Sequence, residues 1–161
     1  MYIPFKQLPD SARVWIYQSD KTFTNSEIEQ ISELLTSFCD SWNNHGEGLK
    51  SSFLIKYHQF IILAIDESHY ESSGCSIDSS VQVIKKIENQ FDVNLFDRMK
   101  TAFKIEEHIN LVSLADFQKY VNEGKINSDT IVFNNMVKTV GEFNSNWEVK
   151  AKDSWHKRYF N

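Results

Sequence analysis

The run Ser51–Asp66, SSFLIKYHQFIILAID, decides how this chain is organised. It is too rich in β-branched and aromatic residues for a helix and too long for one ordinary strand, so it divides near Tyr57, His58 and Gln59 into an antiparallel pair. In the first half Phe53, Ile55 and Tyr57 point one way and Lys56 and His58 the other. The second half, Phe60–Ile65, is apolar at every position, as expected of a central strand covered on both faces. No Asn-Gly or Asp-Gly pair marks the turn, so the pattern does not tie it to one residue.

Upstream, Arg13–Gln18 (RVWIYQ) mixes β-branched and aromatic residues with alternating polarity and reads as the first strand. The period then changes: Ile28, Ile31, Leu35, Phe38 and Trp42 recur at helical spacing, and Thr24 with Glu27 has the spacing of a capping box. Asn43, Asn44 and Gly46 supply the stop signal. Downstream, Ile77, Val81, Ile84, Ile87 and Phe91 predict a second long helix with Ser76 or Asp78 as N-cap. Thr101–Glu106 and His108–Ser113 read as a hairpin, and Ser113 with Asp116 opens a short third helix closed by Gly124. Thr130–Phe133 suits a short strand, and residues 134–161 look irregular but aromatic.

Strand, helix, strand, strand, helix, strand is the order of a ferredoxin-like split βαβ fold. The expectation is an α+β protein, βαββαβ, with an antiparallel sheet, two long helices on one face and a C-terminal extension. Residues 1–161 read as a single domain, with a core of about 12–113 and an extension of about 114–161. At 161 residues a single core buries roughly 68 to 70% of the unfolded chain's surface without disulfide or metal staples. Five Gly and two Pro exclude collagen-like and linker-rich readings, and an aromatic content of 14% excludes intrinsic disorder.

Formal charge is −5 and unevenly placed. Asp20–Glu47 carries six acids against Lys21, whereas the tail carries Lys150, Lys152, Lys157 and Arg158 against Asp153. An acidic chain with so short a basic segment is a poor match to nucleic acid, which needs a contiguous basic face. Cys39 and Cys75 form no CxxC pair, so no zinc ribbon or disulfide framework is expected. The N-terminal MYIPFKQLPDSARVW lacks the basic start and apolar run of a signal peptide, and the longest apolar run is Phe60–Ile65; a cytoplasmic protein without a membrane partner is expected.

The most unusual local chemistry is Asp66–Ser80, DESHYESSGCSIDSS, which leads into the second helix. Unpaired N–H groups at a helix start favour anions and lower thiol pKa values. Ser72, Ser73, Gly74, Cys75, Ser76 and Ser79 are therefore the candidate ligand-binding residues. The catalytic candidates are Cys75 as nucleophile, His69 as base, and Asp66 or Asp78 to orient the imidazole. The bland alternative is that the serines cap the helix, Cys75 packs as a small apolar side chain and His69 is solvated. Asp66, Glu67, His69 and Glu71 cluster in sequence, but no HxxxH or HExxH spacing supports a metal, and neither a metal nor another cofactor is expected. Only Gly124 is followed by Lys, and positions 119 and 126 carry Lys and Ile where GxxxxGK[ST] needs Gly and Ser or Thr, so a Walker A loop is excluded.

Trp147, Trp155, Tyr159 and Phe160 mark the tail as a packing or oligomer-contact segment, and a homodimer is expected. A weaker reading makes Trp155, Lys157, Arg158 and Tyr159 a single-strand nucleic-acid adaptor.

ARVWIYQS, KSSFLIKYHQFIILAIDES, SGCSIDSSV and FNNMVKT with the terminal AKDSWHKRYF together resemble a family of short uncharacterised bacterial proteins, typical of Bacteroidetes genomes, that often carry the label "ABC transporter ATPase". The resemblance covers nearly the whole chain and implies a single domain. The label implies ATP hydrolysis, but this chain has neither a Walker A motif nor an LSGGQ-like signature, so no catalytic residue carries over. The functional expectation is a module binding a small anionic ligand or a protein partner. The alternative is a hydrolase or transferase using Cys75 and His69.

Overall fold

A computed structural model describes residues 1–161. In chain order the elements are β1 (Arg13–Gln18), α1 (Asn25–Ser41), β2 (Asn43–Asn44), β3 (Glu47–Gly48), β4 (Ser51–Lys56), β5 (Phe60–Ile65), α2 (Gly74–Phe91), β6 (Lys100–Ile105), β7 (His108–Ser113), α3 (Leu114–Asn122), β8 (Ile131–Phe133), α4 (Val140–Asn146) and β9 (Glu148–Lys150). The chain divides into two compact units: Met1–Phe96 with Lys138–Gly141, and Asp97–Val137 with Glu142–Asn161. The class is α+β with antiparallel sheets. No helix is long and apolar enough to cross a membrane.

In the first unit β5 lies between β1 and β4, antiparallel to both. That is the split βαβ arrangement, with α1 connecting the two outer strands. Trp15, Tyr17, Phe53, Ile55, Ile61, Leu63 and Ile65 share one face, since Trp15 and Phe53 both pair with Leu63 and Tyr17 and Ile55 both pair with Ile61. Against this face α1 buries Ile31, Leu35 and Cys39, and α2 buries Ile84 and Ile87, forming one core with Phe23, Trp42 and Leu95. Each fully buried Ile or Leu stabilises the unit by about 1.5–3 kcal/mol relative to an exposed one. Phe60, Ile62 and Ala64, on the opposite face of β5, are also buried, as the apolar run predicts for a central strand.

The fourth strand of the ferredoxin-like pattern departs from expectation. It would lie beside β1, but β6 pairs with β7 and β8 in a separate sheet of order β7-β6-β8-β9. The physical reason is that both edges of β6 are filled within the second unit, one by β7 across a two-residue turn with six paired positions and the other by β8, so no edge is left for β1. The place beside β1 is taken by residues 138–140, with Arg13 bridging Thr139, Val14 N–H donating to Lys138 O (2.9 Å) and Val140 N–H donating to Ala12 O (2.8 Å). At the other edge, β4 receives the N-terminal segment: Ile3 N–H donates to Ser51 O (2.9 Å) and Ser51 N–H to Met1 O (3.0 Å).

Helix ends follow their caps. Thr24 Oγ1 accepts from Glu27 N–H (3.1 Å) and Glu27 Oε1 accepts from Thr24 N–H (2.9 Å), completing the expected capping box. Helix α2 starts earlier than the pattern predicts: its N-cap is Ser73, not Ser76 or Asp78. The β4–β5 turn places both Tyr57 (φ 54°) and His58 (φ 54°) in the left-handed region. Neither side chain favours that conformation, at a cost of about 1–2 kcal/mol each. Bonds to the segment after β1 offset it: Phe23 N–H donates to His58 O (2.6 Å), Ser19 N–H to Gln59 O (2.8 Å) and Gln59 Nε2 to Ser19 O (3.0 Å).

In the second unit α3 covers the sheet through Phe117, which packs with Phe103, Ile126, Val132 and Ala151. Residues 134–161, read from sequence as irregular, contain α4, β9 and two 3-10 turns, Ala151–Asp153 and Trp155–Phe160. The final turn buries His156 completely. Its ring stacks on Trp155 (centroids 3.7 Å apart), Nδ1 meets Ser154 Oγ (2.8 Å) and Nε2 meets Thr101 Oγ1 (2.6 Å).

Candidate functional site

The cleft nearest the predicted loop lies in the first unit, between the end of α1 and the face of α2. It is open, has a volume of about 660 Å³, and is lined from α1 and the β2–β3 turn by Phe38, Trp42 and His45. From α2 and its cap come Ser73, Cys75, Ser76, Ser79, Gln82, Val83 and Lys86. The α2 positions recur at one helix face, so the cleft runs along that face.

The start of α2 is anchored to the end of α1. Trp42 Nε1–H donates to Ser76 O (2.9 Å, buried), and Ser76 Oγ–H donates to Asn43 O (2.9 Å). With its proton so committed, Ser76 Oγ accepts from Ser73 Oγ–H (2.9 Å), while Ser73 Oγ also accepts from Ser76 N–H (3.2 Å). Ser79 Oγ–H turns back to Cys75 O (2.9 Å). The hydroxyls at this end are therefore spent on the fold.

Of the predicted ligand-binding residues, Ser73, Cys75, Ser76 and Ser79 come together in the cleft, whereas Ser72 and Gly74 are not among its lining side chains. Ser72 turns to Glu67, whose Oε1 accepts both its N–H (3.0 Å) and its hydroxyl. Gly74 has a negative φ and open space where a Cβ would stand, so nothing in the backbone there requires glycine.

Cys75 is exposed, but the structure does not bring the predicted catalytic group to it. His69 and Asp66 lie in the preceding loop, Asp78 faces water on α2, and none of the three lines the cleft. Asp66 accepts instead from Ser68 N–H (2.9 Å) and the Ser68 hydroxyl. Partial burial opposes ionisation, yet these bonds and the nearby His69 hold its carboxyl below the ordinary range. Glu67 lies 3.8 Å from Arg13 Nη1, and no three His, Cys, Asp or Glu side chains are placed to hold a metal ion.

The histidine that does share the cleft with Cys75 is His45. Its position comes from a two-residue hairpin, with His45 (φ 51°) and Gly46 (φ 89°) both left-handed between β2 and β3. The signal was present in Asn-His-Gly-Glu, since glycine after a turn residue suits such a hairpin. It was hidden because the same residues serve equally well as a helix stop.

The tail residues are absorbed by the second unit. Trp147 is buried against Phe133 and Phe143 and donates Nε1–H to Asn135 Oδ1 (3.0 Å), and Tyr159 and Phe160 pack on the α3 core. Lys150 and Lys152 both pair with Asp129 (3.6 and 3.0 Å), and the Arg158 guanidinium lies over the Trp155 and Tyr159 rings. Comparison with protein-family models, curated proteins and solved structures returns no match for this chain.

Proposed function

We propose that the α1–α2 cleft binds a small organic anion. The observation that carries this reading is the make-up of its walls: in a chain of net charge −5, the cleft contains Lys86 and His45 and not one carboxylate. An acidic protein leaves such a surface free of its own anions at a place where a ligand can approach. The volume is within the range of small-molecule sites.

Benzoate and inorganic phosphate, each titrated while the thermal midpoint is followed, test the proposal, since selective binding to the folded state raises apparent stability. The midpoint is expected to rise with at least one of them and to rise less at the same concentration in Lys86→Gln. A flat response in the parent protein overturns the reading.

One observation favours the alternative of a Cys75 nucleophile in a hydrolase or transferase: the sulfur is exposed within the cleft. That reading requires Cys75 to be alkylated faster at neutral pH than a peptide thiol, and equal rates remove it.

A further inference from the structure

We infer that the ligand of this cleft is an elongated amphiphile, with one carboxylate or phosphate end held at Lys86 and Gln82 and an apolar body lying along α2 towards Cys75. The inference rests on the reading of the cleft as an anion site and goes beyond it by specifying the rest of the molecule.

Three features support it. Length comes from the helix: Cys75, Ser79, Gln82, Val83 and Lys86 all line the cleft, and the eleven steps from Cys75 to Lys86 at 1.5 Å each extend over roughly 16 Å. A bare phosphate or carboxylate would occupy a small part of that path. Polarity is graded along it. At one end the Lys86 ammonium and the Gln82 amide, one turn apart, form no hydrogen bond or ion pair within the protein, so their donors are available to a ligand. At the other end the Ser73 and Ser76 hydroxyls already donate inside the fold, and so does Ser79 midway along the path. Beside this path stand the partly exposed Phe38 and Val83, and the Phe38 ring packs on the buried Trp42 ring (centroids 4.8 Å apart, tilted by 39°). Phe38 and Val83 offer apolar surface for part of a ligand's body to cover.

The probes are acetate, octanoate, dodecanoate and the uncharged dodecanol, titrated by calorimetry below micelle-forming concentrations. Expected for the carboxylates is a gain in affinity of about ten- to thirtyfold in all from acetate to dodecanoate, as covering the exposed apolar wall of an open cleft gives. Dodecanol and Lys86→Gln should each weaken binding about fivefold, the size of an exposed charge contact. Ser79→Phe, which fills the middle of the cleft, should abolish dodecanoate binding, and Lys85→Gln, on α2 but outside the cleft, should leave it unchanged. If acetate and dodecanoate bind equally and both depend on Lys86, the amphiphile is refuted while the anion site stands. Absence of binding by every carboxylate refutes both. Dodecanoate binding that ignores Ser79→Phe and Lys86→Gln lies elsewhere and overturns the inference.

Discussion

Lowering the pH from 7.5 to 5 should weaken this protein through one side chain, His156. The imidazole is wholly buried, and both of its nitrogens are engaged, by Ser154 and Thr101. Burial, with a smaller contribution from the Arg158 charge, lowers its pKa from 6.5 to about 3. The unfolded chain therefore takes up a proton near pH 6.5 that the folded chain refuses until near pH 3. Stability is full above the unfolded value and falls steadily as the pH drops between the two. At pH 5 the loss amounts to about 2 kcal/mol, because a group one and a half units below its unfolded pKa is more than nine-tenths protonated there. Denaturant titrations at both pH values, followed by tryptophan fluorescence, measure the loss. His156→Gln keeps a donor and an acceptor but removes the titration, so its stability should change by about 2 kcal/mol less than the parent's over the same interval. Equal losses in the two proteins would refute the reasoning, as would an NMR titration showing His156 protonated near pH 6.

Thr24→Ala removes one half of the α1 capping box and strands the other, and should lower stability by about 1 kcal/mol in a denaturant titration. Iodoacetamide at neutral pH should modify Cys75 alone in the native protein, detected as a single adduct by mass spectrometry. Cys39 is buried, and desolvation raises its pKa to about 11, so it should react only after unfolding. Gly74→Ala should be neutral or stabilise by up to about 1 kcal/mol, because its helical backbone and open surroundings accept a methyl group. A loss of more than that in thermal unfolding would mean that the glycine matters for a reason other than conformation.

Much of this architecture was legible because periodicity and caps act locally. Arg13–Gln18, the Thr24 box, the Ser113 cap and Gly124 as the third helix stop each follow from residues within a few positions of one another. The split of Ser51–Asp66 was legible too, but its turn was not, since Tyr57 and His58 hold their conformation through partners some forty residues away. The same limit explains the fourth strand: its hairpin with His108–Ser113 was legible, but its other edge pairs with β8 and not β1, and that partner lies some thirty residues further along the chain. For the site, the stretch that looked most chemical supplied the cap and one wall of the cleft. The opposite wall, Phe38, Trp42 and His45, read as core residues and a stop signal, because a cleft is formed by pairs of segments and each one alone looks ordinary.

The two segments laid along the first sheet also bear on self-association. A bare strand edge is a template for another chain, and the sequence Phe60–Ile65 is the kind of apolar β segment that feeds such pairing. Here that strand is central, and the outer strands are each partly occupied, β1 by residues 138–140 and β4 by Met1–Ile3. Both guards are distant in sequence from the strands they cover, and the one on β1 is not in place until the chain has been made at least to Val140. A nascent or truncated chain lacking residues 138–140 has the β1 edge open, so shortening the protein from its C-terminal side exposes it to aggregation before it removes any part of the α1–α2 core.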